Sequence, residues 1–319
     1  MTPLLALLPL PLDTSDLSLW QKLFNFSDYA QLVSLLRNSI MAGAVLSVVG
    51  GLISVFVMQR DMAFAVHGIS ELSFSGGAAG LLFGIGVVNG ALAGSILAAA
   101  LIGIMGSRAR DRNSIIAVLM PFGLGLGILF LSLAPGRTAN KFGLLTGQIV
   151  AIDDPRLDAL TIISIIVTLG LLVIWRPLNF ASVDPDVAEA RGVPTRALSL
   201  VFMLLLGLAV AVSVQIVGAL LVLSILVTPA AAAMRLSSSP VVVPLLSVLF
   251  AFISLVGGIL LSLGAAVPVS PYVTTISFLI YLLANATWHV RRARQRRAVA
   301  DTEADEIARR QVASAPARH

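Results

Sequence analysis

His67 and Glu71 stand four residues apart in the stretch RDMAFAVHGISELSFSGGAAG, which covers residues 60–80. On a helix that spacing puts both side chains on one face. A neutral imidazole and a carboxylate suit a borderline divalent cation such as zinc or manganese. Two ligands are too few for a closed structural site, and a loose hold is what a passing ion needs. Ser70 and Ser75 flank the pair. The residue types alone leave two other readings open. The pair could pin neighbouring helices through a His–Glu hydrogen bond, or it could relay protons.

The surroundings sharpen the question. The chain has 319 residues, 58% of them hydrophobic and 12% charged, where a soluble domain carries about 25% charged residues. So much apolar surface calls for lipid as the solvent. Ionisable groups inside such runs are costly and mark function by default. There is no cysteine, which excludes disulfides, thiolate metal sites and catalytic thiols. Of the three histidines, His289 and His319 lie at or beyond the last apolar run. The net charge of +5 comes from arginines in loops and tail, with no aromatic-interleaved basic patch for nucleic acid. No HExxH or G-x-x-x-x-G-K-[ST] pattern occurs, so the chain reads as a non-enzyme, and any ATP must be hydrolysed by another subunit. Gly123, Gly125 and Gly127 sit in an apolar run without a preceding strand, unlike a nucleotide loop.

A membrane-spanning helix takes about 20 apolar residues, and such runs must be helical to satisfy their backbones in hydrocarbon. The fold class is therefore all-α and polytopic. Nine spans are expected, near 32–58, 63–83, 86–105, 115–134, 160–175, 197–212, 216–234, 241–265 and 272–290. The sixth and seventh are divided at the polar Ser213 and Gln215; without that division the count is eight. Three regions follow: an N-terminal arm over 1–30, a transmembrane permease domain over 31–290, and a charged tail over 291–319 that is helical or disordered. The arm opens MTPLLALLPLPL, without the cationic start of a signal peptide. Arg60, Arg108, Arg110, Arg112, Arg176, Arg191, Arg196, Arg235 and the RRARQRR tail fall on one side of the nine-span topology. By the positive-inside rule that side, with the C-terminus, is cytoplasmic. Counting about 1.5 Å per residue from Arg60, His67 lies roughly 10 Å and Glu71 roughly 16 Å into the membrane, where transporters hold substrate.

Two loops and several polar residues complete the pattern. An apolar piece, FGLLTGQIVAI, is expected to re-enter or lie at the interface within the external loop 136–158. In the cytoplasmic loop 176–196, Asp184 can cap a short helix starting at Pro185. Gly192 would end it, with Pro194 following. Glycines 76, 77, 80, 84, 86, 90 and 94 are expected to let helices pack closely. Arg37, Asn38 and Asn89 read as packing or interfacial groups.

Three stretches carry a family resemblance: RDMAFAVHGISELSFSGG, DPDVAEARGVPTR, and GALLVLSILVTPAAAA over 218–233. In this order they resemble the zinc/manganese permease family of ABC importers, distantly related to cobalamin and siderophore permeases. The resemblance spans about 32–290. It implies a type II-like ABC importer permease fold that forms the translocation path for zinc or manganese, with His67 and Glu71 as metal contacts. It implies a docking segment around Ala188, Glu189 and Gly192, and cytoplasmic ABC ATPase subunits to meet it. An external metal-binding solute-binding protein, a second permease subunit (in a homodimer or heterodimer) and a bacterial plasma (inner) membrane location are implied as well. No covalent cofactor is implied, only the transported ion. One departure stands out. The family places an aspartate first and a histidine four residues later, whereas here His67 precedes Glu71. A cobalamin or siderophore permease and an ion-coupled secondary transporter using His67 and Glu71 remain the competing expectations.

Overall fold

The computed structural model describes residues 29–105, 109–134, 152–219, 221–263 and 268–314. Within these it is all helical: α1 (Tyr29–Leu35), α2 (Arg37–Gln59), α3 (Ala63–Phe83), α4 (Val87–Met105), α5 (Ala109–Leu133), α6 (Asp154–Val183), α7 (Pro185–Ala190), α8 (Thr195–Val217), α9 (Val222–Leu226), α10 (Thr228–Leu236), α11 (Val242–Ser262) and α12 (Val269–Ser314). The arm up to residue 28 and nearly all of the apolar loop piece lie outside the described residues.

Seven of these helices are long and apolar enough to cross a membrane: α2, α4, α5, α6, α8, α11 and α12. α3 is an eighth of comparable length at 21 residues. It is more polar because it carries His67, Glu71 and three serines. The ninth expected span, 216–234, is not one continuous helix. α8 runs through Ser213 and Gln215 and stops at Gly218, whose φ of 83° is in the left-handed region. The chain then resumes as two short pieces, α9 and α10. Isolated polar residues were the wrong place to divide the run, because a serine satisfies itself within a helix: the Ser213 hydroxyl donates to the Ala209 carbonyl at 2.7 Å. Glycine and the Pro229 imide, which cannot donate to the preceding turn, are what interrupt it.

Two helices extend beyond the expected spans. α6 continues past Trp175 and through Pro177 to Val183, so most of the expected loop 176–196 is helical. α12 continues past Val290 to Ser314, for its charged segment is rich in Ala and Arg and holds no Gly or Pro to stop it.

α2, α3 and α8 form the centre of the bundle, with Leu46, Ile53, Phe56, Val66, Ile69 and Phe202 buried between them. Small residues set the close approaches. Gly76 and Gly80 of α3 face Gly90 and Gly94 of α4 so tightly that a Cβ on Gly76 or Gly90 would strike the opposite backbone. Without a hydrophobic drive between helices in lipid, such contacts hold helices together by dispersion. Hydrogen bonds add to this: Ser247 of α11 donates to the Gly51 carbonyl of α2 at 2.7 Å, and its hydroxyl lies 2.8 Å from that of Ser54.

Candidate functional site

α3 starts in a tight turn after α2 and crosses the centre of the bundle. Along one stripe of this helix exposure falls from Phe64 (65%) to His67 (28%) and Glu71 (6%). The stripe opens at its Arg60 end and closes at Glu71. His67 Nε2 and Glu71 Oε1 are 3.8 Å apart, too far for a hydrogen bond. The other polar atoms of the pair, Nδ1 of His67 and Oε2 of Glu71, are buried without a hydrogen-bond partner. Buried polar groups are normally paired, and these two atoms have no such partner among the described residues. A cation held at about 2.0–2.2 Å from each ligand leaves the two donors roughly 3–4 Å apart, which is the spacing found. Among the described residues no group of three or more His, Cys, Asp or Glu gathers anywhere.

Two neighbours frame the pair. α5 packs against the Glu71 turn, where Gly123 leaves room for the α3 backbone, and Gly68 faces Ile116. The glycines that mimic a nucleotide loop are in part packing residues. On another side lies the break between α8 and α9. Ser70, beside Glu71 in sequence, donates to the Ala219 carbonyl at 3.0 Å. Ser277 of α12 donates to the Ser224 carbonyl of α9 at 3.1 Å. Irregular backbone at membrane depth survives only where protein or a cavity receives its polar groups, and these serines supply part of that reception. Ser75, the other flanking hydroxyl, is buried.

Arg60 emerges as a residue whose weight the sequence hid. It reads as a boundary charge, yet in the fold it is only partly exposed. Its Nη2 donates to Ser199 Oγ of α8 at 3.0 Å and its Nη1 to Ser182 Oγ of α6 at 3.5 Å. Its guanidinium carbon lies 5.9 Å from the centre of the Phe202 ring. Burial, and after it the charge of Arg112, lower its pKa, but a guanidinium stays protonated in proteins. Arg112 Nη2 in turn donates to the Arg60 carbonyl at 3.2 Å and reaches the Asp61 carbonyl at 3.4 Å. Asp61 takes φ 52°, a left-handed turn that Asp tolerates better than most residues. The α2–α3 turn is thus fastened to the two helices that flank α7.

α7 is capped as its sequence predicts, with the Asp184 carboxylate accepting from the Val187 amide at 3.0 Å. Arg191 closes the helix and Gly192 follows with φ 84°. Of the three residues assigned to docking, Ala188 is fully buried against the bundle. Glu189 and Gly192 are exposed, as is Val187 at 43%. Arg37 is exposed, Asn38 donates to Asp154 Oδ1 at 2.7 Å, and Asn89 donates to the Ile85 carbonyl at 3.0 Å. Arg37 and Asn38 lie at the start of α2 and Asn89 in the first turn of α4. Gln215 has its amide nitrogen buried without a partner, beside a small cavity it shares with Val88 and Arg156.

Comparison with known proteins adds to this geometry. The model of the ABC 3 transport family matches residues 33–287. The manganese transport system membrane protein MntC of Halalkalibacterium halodurans is 27% identical over 260 residues, covering 81% of this chain and 89% of that protein. The high-affinity zinc uptake system membrane protein ZnuB of Haemophilus influenzae is 26% identical over 250 residues, covering 78% and 96%. Among solved structures, PsaBC from Streptococcus pneumoniae in complex with Fab superposes with a TM-score of 0.73 at 24% identity, covering 81% of this chain and 95% of that one. At that identity the superposition speaks for the fold.

Proposed function

Because the chain belongs to the ABC 3 transport family, we propose that it is the permease subunit of an ATP-binding-cassette importer and carries a divalent metal ion, zinc or manganese. The observation that carries the choice of substrate is the His67–Glu71 pair. It is an imidazole and a carboxylate on the central helix, 3.8 Å apart, with buried atoms that no protein group satisfies. Relatives described as manganese and zinc permeases support the same class. A bulky cobalamin or chelate has no use for two small-ion ligands at this depth.

In this reading the ion arrives from an external solute-binding protein and passes His67 and Glu71. Two ligands hold it weakly, and a second copy of the chain would bring two more to a shared path. ATP is hydrolysed by cytoplasmic partner subunits. α7 is their docking helix: Ala188 seats it in the bundle, and Val187, Glu189 and Gly192 face the partner. Arg60 then carries movement of α6 and α8 to the start of α3. A secondary transporter would have no need of that exposed, separately capped helix. The chain is a multi-pass membrane protein; we place it in a bacterial plasma (inner) membrane with the C-terminus cytoplasmic, an orientation that the arginine distribution supports.

The experiment is metal uptake by the reconstituted permease–ATPase complex with its binding protein, using zinc and manganese in competition. Saturable uptake of either ion, dependent on ATP, supports the reading. Uptake of a chelate with no uptake of free metal contradicts it.

A further inference from the structure

A second feature lies away from the His67–Glu71 site, where the ends of α2, α10 and α12 meet. Met58, Ala231, Met234, Arg235, Tyr281 and Trp288 line an open groove with about 300 Å³ of free volume. A single water needs only about 10–15 Å³ on that measure. The floor is apolar and the rim is cationic. The Arg235 and Arg292 guanidinium carbons each lie 5.0 Å from the centre of the Trp288 ring. Arg291 Nη1 donates to the Leu236 carbonyl at 3.2 Å, which ties α12 to the end of α10. Arg294 and Arg296 continue the exposed basic face. Among the described residues no carboxylate forms an ion pair with Arg235, Arg291 or Arg292.

Stacking on Trp288 engages the flat faces of two guanidiniums and leaves their N–H edges available. Those edges suit a phosphate oxygen. An indole with adjacent arginines is also how a membrane protein marks the headgroup level. A free phosphate would leave the apolar floor uncovered, and a neutral chain would leave the arginines unpaired. We propose that the groove is a binding site for one anionic phospholipid of the leaflet on the arginine-rich side. Its phosphate lies between Arg235 and Arg292, and an acyl chain lies against Met58 and Met234. The inference rests on the membrane reading of the chain and is independent of which ion it carries. The lipid holds α10, the helix that follows the break, against α12.

The test uses the full chain assembled with its ATPase in nanodiscs. Phosphatidylglycerol and phosphatidylcholine, each with a photoreactive acyl chain, are supplied at equal mole fraction, and the labelled peptides are mapped. A favourable contribution of about 1 kcal/mol per arginine near the surface corresponds to roughly fivefold selectivity from one arginine, and more from two. The expected result is labelling around Met58, Met234 and Tyr281 that favours phosphatidylglycerol by at least that factor. Arg235→Gln with Arg292→Gln brings the two lipids to parity, and Arg235→Lys with Arg292→Lys keeps a preference. Equal labelling in the unaltered complex overturns the proposal, as does selectivity that survives the double glutamine variant. Displacement by millimolar glycerol phosphate would make this a free-phosphate site. Labelling seen in the isolated chain but lost in the complex would make it a protein interface. Either result overturns the lipid assignment. Uptake of the metal is not the readout, so failure here leaves the transport reading standing.

Discussion

The Ser70 hydroxyl donates to the Ala219 carbonyl at 3.0 Å, joining the helix that carries His67 and Glu71 to the gap between α8 and α9. Both residues are fully buried. The bond satisfies a carbonyl that no helix satisfies, and it sits next in sequence to the proposed ligand Glu71. Ser70→Ala should therefore cost about 0.6 kcal/mol, with an upper bound near 1.7, the range found for interhelical hydrogen bonds in membranes. A thermal unfolding series in detergent measures this. Uptake should fall by a larger factor than that loss implies, because the break moves relative to the ligands. An unchanged uptake rate with the expected loss of stability would reduce Ser70 to a packing residue.

Arg60 should behave as a mechanical tie. Arg60→Gln removes its bonds to Ser182 and Ser199 and its place over Phe202. A charge-assisted bond contributes about 1.5–3 kcal/mol, so a stability loss of that order is expected. The distinguishing readout is ions moved per ATP hydrolysed, which should drop while basal hydrolysis persists. If the ratio holds in a folded Arg60→Gln complex, the link between α3 and the docking helix runs elsewhere.

Gly192 takes φ 84° just beyond α7, and nothing crowds its Cβ position. The constraint is the backbone and not space. Gly192→Val forces a β-branched residue into the left-handed region, at a cost of about 1–2 kcal/mol. α7 should be misdirected and ATP hydrolysis should lose its response to the binding protein. Gly192→Asn, which tolerates the conformation better, should restore most of the response. Equal behaviour of the two variants would remove Gly192 from the docking account.

Protons should compete with the metal at His67. An imidazole binds metal only when neutral, so uptake should decline as pH falls and His67 takes up a proton. His67→Asp replaces it with a carboxylate whose ordinary value is about 3.9, and its uptake should be flatter over pH 7.5 to 5.5, about one unit either side of the histidine value. Parallel profiles for the two proteins would take His67 out of the ligand set.

Much of this was legible in the sequence. α3 occupies 63–83 as the apolar run predicts, because hydrophobicity fixes where a membrane helix lies. The cap of α7 was legible because Asp184 and Pro185 act locally. The division of 197–234 was misread at Ser213 and Gln215, since hydropathy registers polarity and the break depends on backbone freedom at Gly218. The segment after Gly218 is therefore two short helices and not one continuous span. Arg60 was read as a charge at a helix end, because its serine partners lie 122 and 139 residues away in sequence and no local signal brings them together. For the same reason the burial of Ala188 against the bundle is not legible in the sequence.

The central claim is that His67 and Glu71 contact the ion in transit. It is tested most directly by metal uptake in proteoliposomes holding the permease–ATPase complex, with His67→Ala, Glu71→Ala and the double variant compared at matched assembly. If the residues hold one ion together, each single change should reduce uptake at least tenfold, the equivalent of about 1.4 kcal/mol. The double variant should then fall little further, as expected when two groups act as a unit. Uptake by the assembled double variant at the rate of the unaltered protein would contradict the account.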